Sequence, residues 1–270
     1  MIIDSHVHFG DLLSFHLEKE TVLAAMEKYG VAAALVSNCG ASECDTKQRE
    51  LPPRLQKPMY KCTEEAVAFA RGNPGRIFAA AWIKPRTEQP DARFRRLLAD
   101  NRDVVKALKI HPYYSALPAD SPRVEPYLEL AEELGLPVIV HTAEDRHSDC
   151  AHVVSAARRH PGVRFVMAHL GLGTDNSAAI EAAAGTPNLY GDTAWVPMEG
   201  ARRFLEKAGS GRLLFGSDLP IDGLDTYHHN PRGERSVYQD YFHRLPALVP
   251  PEDYENVMWR SAARLFGLPF

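Results

Sequence analysis

The chain has 270 residues, 45% of them hydrophobic, and a formal net charge of −4. This composition allows a sizeable buried core, and the dispersed charge excludes the basic surface of a protein that binds nucleic acid or an anionic membrane. No apolar stretch approaches the roughly 20 residues of a membrane span. We therefore expect a single domain over residues 1–270 that acts on a small-molecule substrate. A homo-oligomer is compatible with this composition.

The first predicted strand carries two histidines in an apolar segment. Residues 2–9 contain His6 and His8. Side chains two residues apart in a strand share a face, so the two imidazoles emerge side by side, a geometry suited to a divalent metal. The alternative is a pair of neutral, hydrogen-bonded core histidines. Because these candidate ligands begin at residue 6, a cleaved signal peptide is not expected.

Four later apolar segments also end in residues suited to metal or proton chemistry. Residues 107–111, 138–141, 165–169 and 213–218 supply Lys109 with His111, His141, His169 and Asp218, and loop residues follow each segment. Each segment has the length and the β-branched or apolar character of a buried strand. Packing alone does not explain such residues on five of the predicted strands.

Eight short apolar segments separated by helical patterns predict the fold. The predicted strands lie near 1–8, 31–38, 76–84, 104–111, 137–142, 164–170, 188–194 and 213–218. Helices are predicted before Gly30 and Gly135 and near 63–71, 91–98, 149–159, 176–184, 199–207 and 251–266. This alternation predicts an α/β fold, a (β/α)8 TIM barrel with its active site at the C-terminal ends of the strands. A doubly wound sheet would need a Gly-rich turn at residues 9–12, which is absent.

The four cysteines predict free thiols. Cys39, Cys44, Cys62 and Cys150 are irregularly spaced and form no CxxC pair. Disulfides are unusual in a chain of this length and composition, so a cytoplasmic protein is expected. A zinc or redox role for Cys39 and Cys44 is the less favoured alternative.

The loops after the strands are expected to select the substrate. A long loop at 45–58 could cover the mouth of the barrel. Arg54 and Arg146 are candidates for binding a substrate carboxylate. The other candidate pocket residues are His111, Tyr113, His147, Trp195 and residues 227–232. Within the last range, the adjacent His228 and His229 are interpreted as loop residues rather than as an extra metal site.

The motifs together resemble the amidohydrolase superfamily, in the amidohydrolase-2 branch that includes aminocarboxymuconate semialdehyde decarboxylase and related metal-dependent hydrolases. The likeness covers nearly the whole chain and rests on the paired histidines of strand 1 and on residues 109–112, 128–138, 216–220 and 261–268. It implies one divalent metal, usually zinc, held by His6, His8, His141 and Asp218, with His169 orienting water or substrate. In two-metal relatives a carboxylated lysine or a glutamate bridges the ions at the position of Lys109, and His169 would then be a ligand. We expect an unmodified Lys109 and one zinc.

These residue types predict a reaction class. Asp218 is expected to act as general base on metal-activated water, and His169 to donate a hydrogen bond to a developing oxyanion. The favoured interpretation is hydrolysis of a small ester, lactone or amide. The alternatives are non-oxidative decarboxylation of a small aromatic or enoic acid, and a non-catalytic metal-binding barrel. Lys109, His111, Tyr113, Arg146 and Trp195 are the candidate substrate-binding residues.

Overall fold

The computed structural model describes residues 1–13, 15–221 and 237–270. Within them, nine strands form one sheet in the order β2-β1-β3-β4-β5-β6-β7-β8-β9. All pairs are parallel except β1 with β2. The strands are β1 (Ile3–Leu12), β2 (Phe15–Leu17), β3 (Ala33–Asn38), β4 (Ile77–Trp82), β5 (Val105–Ile110), β6 (Val138–Ala143), β7 (Phe165–Leu172), β8 (Leu189–Asp192) and β9 (Leu213–Leu214).

Helices connect successive strands, and the predicted helices are confirmed. The described residues form α1 (Lys19–Tyr29), α2 (Met59–Gly72), α3 (Ala92–Asp100), α4 (Pro112–Ser115), α5 (Glu125–Leu134), α6 (Cys150–Arg159), α7 (Ser177–Gly185), α8 (Met198–Ala208), α9 (Val237–His243), α10 (Leu245–Leu248), α11 (Pro251–Glu255) and α12 (Ser261–Phe266). A π-helical turn at Asn256–Arg260 joins the last two. Gly30 and Gly135 end their helices in the left-handed conformation, as glycine allows. None of the helices in these ranges is both long and apolar enough to cross a membrane.

The last strand segment closes the sheet against the first. The backbone N–H of Ser5 donates to the carbonyl of Phe215 at 2.9 Å, that of Asp218 to His6 at 2.8 Å, and that of His8 to Leu219 at 2.7 Å. The predicted TIM barrel is therefore confirmed. The predicted last strand, 213–218, is in regular ladder pairing only at Leu213–Leu214, because the chain turns into the barrel mouth after that point. The short antiparallel β2 was not predicted.

Alternating side chains separate two buried layers. Ile3, Ala107, Ile139 and Leu214 belong to a cluster inside the barrel. Val138, Val140 and their equivalents pack against the surrounding helices in a second, larger cluster. In β6, Ile139 therefore faces inward and its neighbours Val138 and Val140 face outward. The four cysteines are free thiols, three of them fully buried.

Gly216 allows three strand ends to approach each other closely. Its backbone N–H donates to Thr193 Oγ1 at 3.0 Å. A Cβ atom at position 216 would lie 2.9 Å from His6 Cβ and 3.3 Å from Asp192 Cβ. Both neighbours are fixed near the backbone of buried strands, so they cannot move aside as the end of a flexible side chain can. A glycine is therefore required for His6 and Asp192 to meet across this position.

We expect Gly216→Ala to destabilise the protein by about 1–3 kcal/mol, the usual cost of adding a methylene group to a tightly packed interior. Thermal unfolding followed by circular dichroism measures the change. The control is Gly72→Ala, because a Cβ at the end of α2 meets no atom within 4 Å. An equal Tm for Gly216→Ala and the wild type would contradict the close packing.

Candidate active site

A cavity of about 500 Å³ opens at the C-terminal ends of the strands. It brings together residues from both ends of the chain, because the last strand segment lies beside the first strand in the closed barrel. Its walls combine aromatic and apolar side chains with a floor of histidines and Asp218. The lining residues are His8, Leu12, Cys39, Trp82, His111, Tyr113, Tyr114, His141, Ala143, Glu144, Asp145, His169, Leu172, Gly173, Trp195, Asp218 and Ile221.

His6, His8 and Asp218 converge on one point at the cavity floor. His6 Nε2 lies 3.0 Å from His8 Nε2. Asp218 Oδ1 lies 3.4 Å from His6 Nε2 and 3.0 Å from His8 Nε2. All three residues are buried, with 3%, 2% and 6% of their surfaces exposed. Three potential ligand atoms thus form a compact triangle that faces the cavity.

The chemistry of this triangle fits a divalent metal. His6 Nδ1 lies 2.8 Å from Asp192 Oδ2, and a carboxylate only accepts hydrogen bonds, so the His6 proton is on Nδ1. Ser37 Oγ lies 2.9 Å from His8 Nδ1, and it is placed to accept from that nitrogen because its own hydroxyl can donate to the Val7 carbonyl. Both Nε2 atoms then present lone pairs to each other and to a carboxylate. Ligands at ordinary zinc distances are roughly 3.3 Å apart in a tetrahedral site, close to the distances found here.

Burial keeps these imidazoles neutral, as ligation requires. Desolvation, followed by the charge of the nearby Lys109, lowers the pKa of His6 to about 3, although Asp192 and Asp218 oppose this shift. Burial also lowers the pKa of His8 and, to a greater degree, that of His141. Neutral rings in this cluster offer nitrogen lone pairs at neutral pH.

Asp192 orients the site, and the sequence analysis did not single it out. Its Oδ2 accepts from His6 Nδ1, while its Oδ1 accepts from the backbone N–H groups of His169 at 2.9 Å and Ala194 at 3.1 Å. Burial raises the pKa of Asp192, but His6 and these hydrogen bonds outweigh it, so the net pKa is below its usual value. The signal was available, since β8 also ends in a carboxylate. A residue of this kind fixes the tautomer of a ligand.

His169 reaches the cavity through an unusual backbone conformation. It follows Met167, which faces the helices, and simple alternation would point His169 the same way. A φ of +68° turns it into the barrel mouth instead. One ring nitrogen then lies within 4.8 Å of ligand atoms of His6 and Asp218.

The hydrogen bonding of His169 bears on the two roles expected from sequence, orientation of water or substrate and donation to an oxyanion. Its Nδ1 donates to the carbonyl of Ala194 at 3.1 Å. In the neutral ring Nε2 is therefore an acceptor, suited to receiving a hydrogen bond from water. Donation to a developing oxyanion, the other predicted role, would require the imidazolium form.

His141 and His111 form part of an aromatic stack in the cavity wall. The His141 and His111 rings are 3.9 Å apart and nearly parallel, and His111 lies 5.0 Å from the ring of Trp82 at an interplanar angle of 10°. His141 also contacts His169 edge to face at 4.8 Å. His111 Nδ1 is buried with no hydrogen-bond partner among the described residues. The stack fixes the planes of both imidazoles beside the His6–His8–Asp218 triangle.

Lys109 lies at the base of the same cluster. Its side chain is almost completely buried, and its Nζ is 2.8 Å from His6 Nε2. Desolvation lowers the pKa of Lys109 to about 8, with Asp192 and Asp218 opposing part of that shift. The lysine therefore occupies the position expected from sequence, on the inward face of β5.

The predicted substrate-binding residues divide between the cavity and the surface. Tyr113 and Trp195 line the cavity; the Tyr113 hydroxyl donates to the Thr46 carbonyl at 2.6 Å, and Trp195 Nε1 donates to Asp218 Oδ2 at 2.8 Å. Arg54 and Arg146 are exposed, and neither is among the described residues that line the cavity. Arg146 Nε instead bonds to His147 Nε2. The predicted loop at 227–232, with His228 and His229, lies outside the described residues.

Solved structures with the same architecture cover nearly the whole chain. A 5-carboxyvanillate decarboxylase from Sphingomonas paucimobilis has a TM-score of 0.69 and 16% identity, with 99% of each chain covered. A dihydroxybenzoic acid decarboxylase from Polaromonas sp. JS666, with bound manganese and the inhibitor 2-nitroresorcinol, has a TM-score of 0.73 and 15% identity over 100% of this chain and 97% of that one. A candidate 2-pyrone-4,6-dicarboxylic acid hydrolase from Pseudomonas putida has a TM-score of 0.67 and 16% identity over 100% and 98%. At these identities the likeness establishes the fold.

The sequence family is established separately. No curated protein matches the chain in sequence. The family model described as amidohydrolase matches residues 3–268, almost the entire chain. The resemblance inferred from the sequence motifs is therefore confirmed, and the chain belongs to the amidohydrolase family of enzymes.

Proposed function

We propose that the protein is a metal-dependent hydrolase of a small, uncharged carbonyl compound such as an ester, lactone or amide. The observation that carries this proposal is the setting of Asp218. One of its oxygens faces two imidazole nitrogens, and the other accepts a hydrogen bond from Trp195. Both contacts suit an ionised carboxylate, which can accept a proton from water in the manner of a general base.

His6, His8 and Asp218 would hold a divalent cation, with His141 at the end of β6 as a further ligand. When bound, such a cation supplies Lewis acidity, which makes water more acidic and a carbonyl carbon more electrophilic. We propose a single ion, most simply zinc. The Lys109 amine lies buried at the base of the same cluster, where its positive charge would oppose a second cation beside it.

Each of the residues around this site then has a separate role in hydrolysis. His169 accepts a hydrogen bond from the attacking water and orients it. Asp218 takes the water proton and returns it to the leaving group. Trp195 holds the Asp218 carboxylate in place, and the stacked rings of Trp82 and His111 supply a flat wall against which a planar substrate can pack.

Charge at the cavity favours a neutral substrate. Glu144 and Asp145 are among its lining residues, and no lysine or arginine lines the part of it that the structure describes. A substrate carboxylate would be repelled by these groups unless the metal compensated for them. The proposed substrate is therefore an uncharged carbonyl compound that packs on aromatic walls.

Decarboxylation of a small aromatic acid is the second candidate. The aromatic walls favour it, since Trp82, Tyr113, Tyr114 and Trp195 could enclose a ring. Two of the similar structures are named as decarboxylases of substituted benzoic acids. In that reaction a proton would have to be delivered to a ring carbon, and Asp218 would have to act as an acid.

Metal content should separate ligands from neighbouring residues. We expect His6→Ala and His141→Ala to lower the divalent metal in purified protein well below one equivalent per chain, because each removes a ligand atom. His169→Ala should retain the metal while losing turnover, because it removes only the group that orients water. Elemental analysis of the three variants measures this. Full occupancy in His6→Ala and His141→Ala, or metal loss confined to His169→Ala, would overturn the assignment.

Product analysis should separate the two reactions. We expect metal-loaded protein incubated in ¹⁸O-water with a panel of esters, lactones and amides to release products that carry the label. Asp218→Asn should reduce kcat by about 100-fold or more, because a general base contributes 10²–10⁴-fold. Folding of that variant is checked by its Tm. Release of carbon dioxide from hydroxybenzoic acids, with no labelled hydrolysis product, would favour the second candidate and contradict the first.

A further inference from the structure

A second, positively charged cleft lies at the opposite end of the barrel from the active site. It has a volume of about 270 Å³. Its residues precede or begin β5, precede β6 and β7, or end α5 and α12, so it belongs to the N-terminal face of the sheet. It is lined by Arg102, Lys106, Gly135, Pro137, Arg164, Arg264, Leu265, Phe266 and Gly267.

The four cations in this cleft have weak partners. Arg102 donates to the Val105 carbonyl at 3.4 Å, Lys106 to Gly267 at 3.4 Å, and Arg164 to Gly135 at 3.5 Å. Arg264 donates to Asn256 Oδ1 at 3.1 Å and to Ser261 Oγ at 3.4 Å. Across residues 1–13, 15–221 and 237–270, none of the four forms an ion pair with a carboxylate.

The carboxylate of Asp103 lies near Lys106, but it already forms an ion pair with Arg71. Asp103 raises the pKa of Lys106 slightly. Burial, followed by the charge of Arg102, gives Lys106 a net pKa below its usual value. The positive charge of the cleft is therefore only partly compensated.

Helix ends do not neutralise this charge. The C-termini of α5 and α12 point into the cleft through Gly135 and Gly267, and each carries about half a negative charge. Two such ends offset roughly one of the four full positive charges, which leaves a surplus of roughly three. Lys106 and Arg164 donate to the carbonyls of Gly267 and Gly135 at these helix ends, so capping involves two of the cations but still leaves the cleft with a surplus of positive charge.

We infer that this cleft binds a multivalent oxyanion, and specifically the diphosphate group of a small molecule. Guanidinium groups bind phosphate oxygens in bidentate fashion, and three of them line this cleft together with a lysine. The cleft is concave and large enough for two phosphate groups. Because it lies at the far end of the barrel, this site is separate from the catalytic cavity and adds a binding function to the proposed hydrolase.

Isothermal titration of the metal-loaded protein with inorganic pyrophosphate tests the inference. Binding should be saturable with one site per chain and should weaken as chloride is raised, as expected for an exposed electrostatic contact. Arg164→Gln should weaken it by at least about tenfold, the usual loss for a charge-assisted hydrogen bond. The matched control is Arg202→Gln on α8, an exposed arginine paired with Glu199 and Glu206, which should bind pyrophosphate as the wild type does.

A second variant tests whether a loss of pyrophosphate binding in Arg164→Gln comes from misfolding. Arg264 is exposed, so Arg264→Gln should fold normally and should also weaken pyrophosphate binding. Titration with adenosine diphosphate distinguishes the source of the group: equal affinity means that the diphosphate alone is recognised, and tighter binding means that a nucleotide is. Absence of binding to the wild type would overturn the inference. So would unchanged affinity in both Arg164→Gln and Arg264→Gln, which would place pyrophosphate elsewhere, for example at the metal centre.

Discussion

The contacts of Asp192 determine how the candidate active site is built. One carboxylate oxygen bonds to the ring of His6 on β1, and the other accepts backbone N–H groups from His169, after β7, and Ala194, after β8. A buried charge is tolerated only when it is compensated, and here every compensating donor belongs to a different strand end. The same contacts that stabilise the carboxylate therefore fix the tautomer of His6 and the backbone that carries His169.

Backbone conformation at the barrel mouth supports this arrangement. His169, Trp195 and Asp218 all have positive φ values, of 68°, 63° and 62°. Such conformations are unfavourable for residues other than glycine and cost of order 1 kcal/mol or more each. Three of them occur at adjoining strand ends and turn side chains into one cavity. These three residues carry that cost at the place where the chemistry is proposed.

Strand-level features could be predicted from sequence because they depend on local patterns. The apolar segment that ends in His141, with Ile139 inward, follows the two-residue period of a strand, and the structure shows that arrangement. The strand-end position of Lys109 followed from the same period. Regular alternation breaks down where φ becomes positive, so the direction of His169 did not follow from it.

Long-range contacts were beyond the sequence. The strand-end position of Asp192 could be read from the sequence, but its contact with His6 could not, because only the closure of the barrel brings the two together. Arg146 is a reasonable carboxylate ligand by residue type, but the path of its loop leaves it on the surface. The basic cleft was missed for the same reason, since Arg102, Arg164 and Arg264 are far apart in the chain and the net charge is negative.

The central claim is that His6, His8 and Asp218 form a metal site with one ion. Anomalous diffraction from crystals of the protein, recorded on both sides of the absorption edge of the bound metal, tests it most directly. The account predicts one peak about 2.0–2.2 Å from His6 Nε2, His8 Nε2 and Asp218 Oδ1, with an unmodified amine at Lys109. Two peaks roughly 3.5–4 Å apart bridged by a carbamylated Lys109, or a peak away from these three atoms, would contradict it.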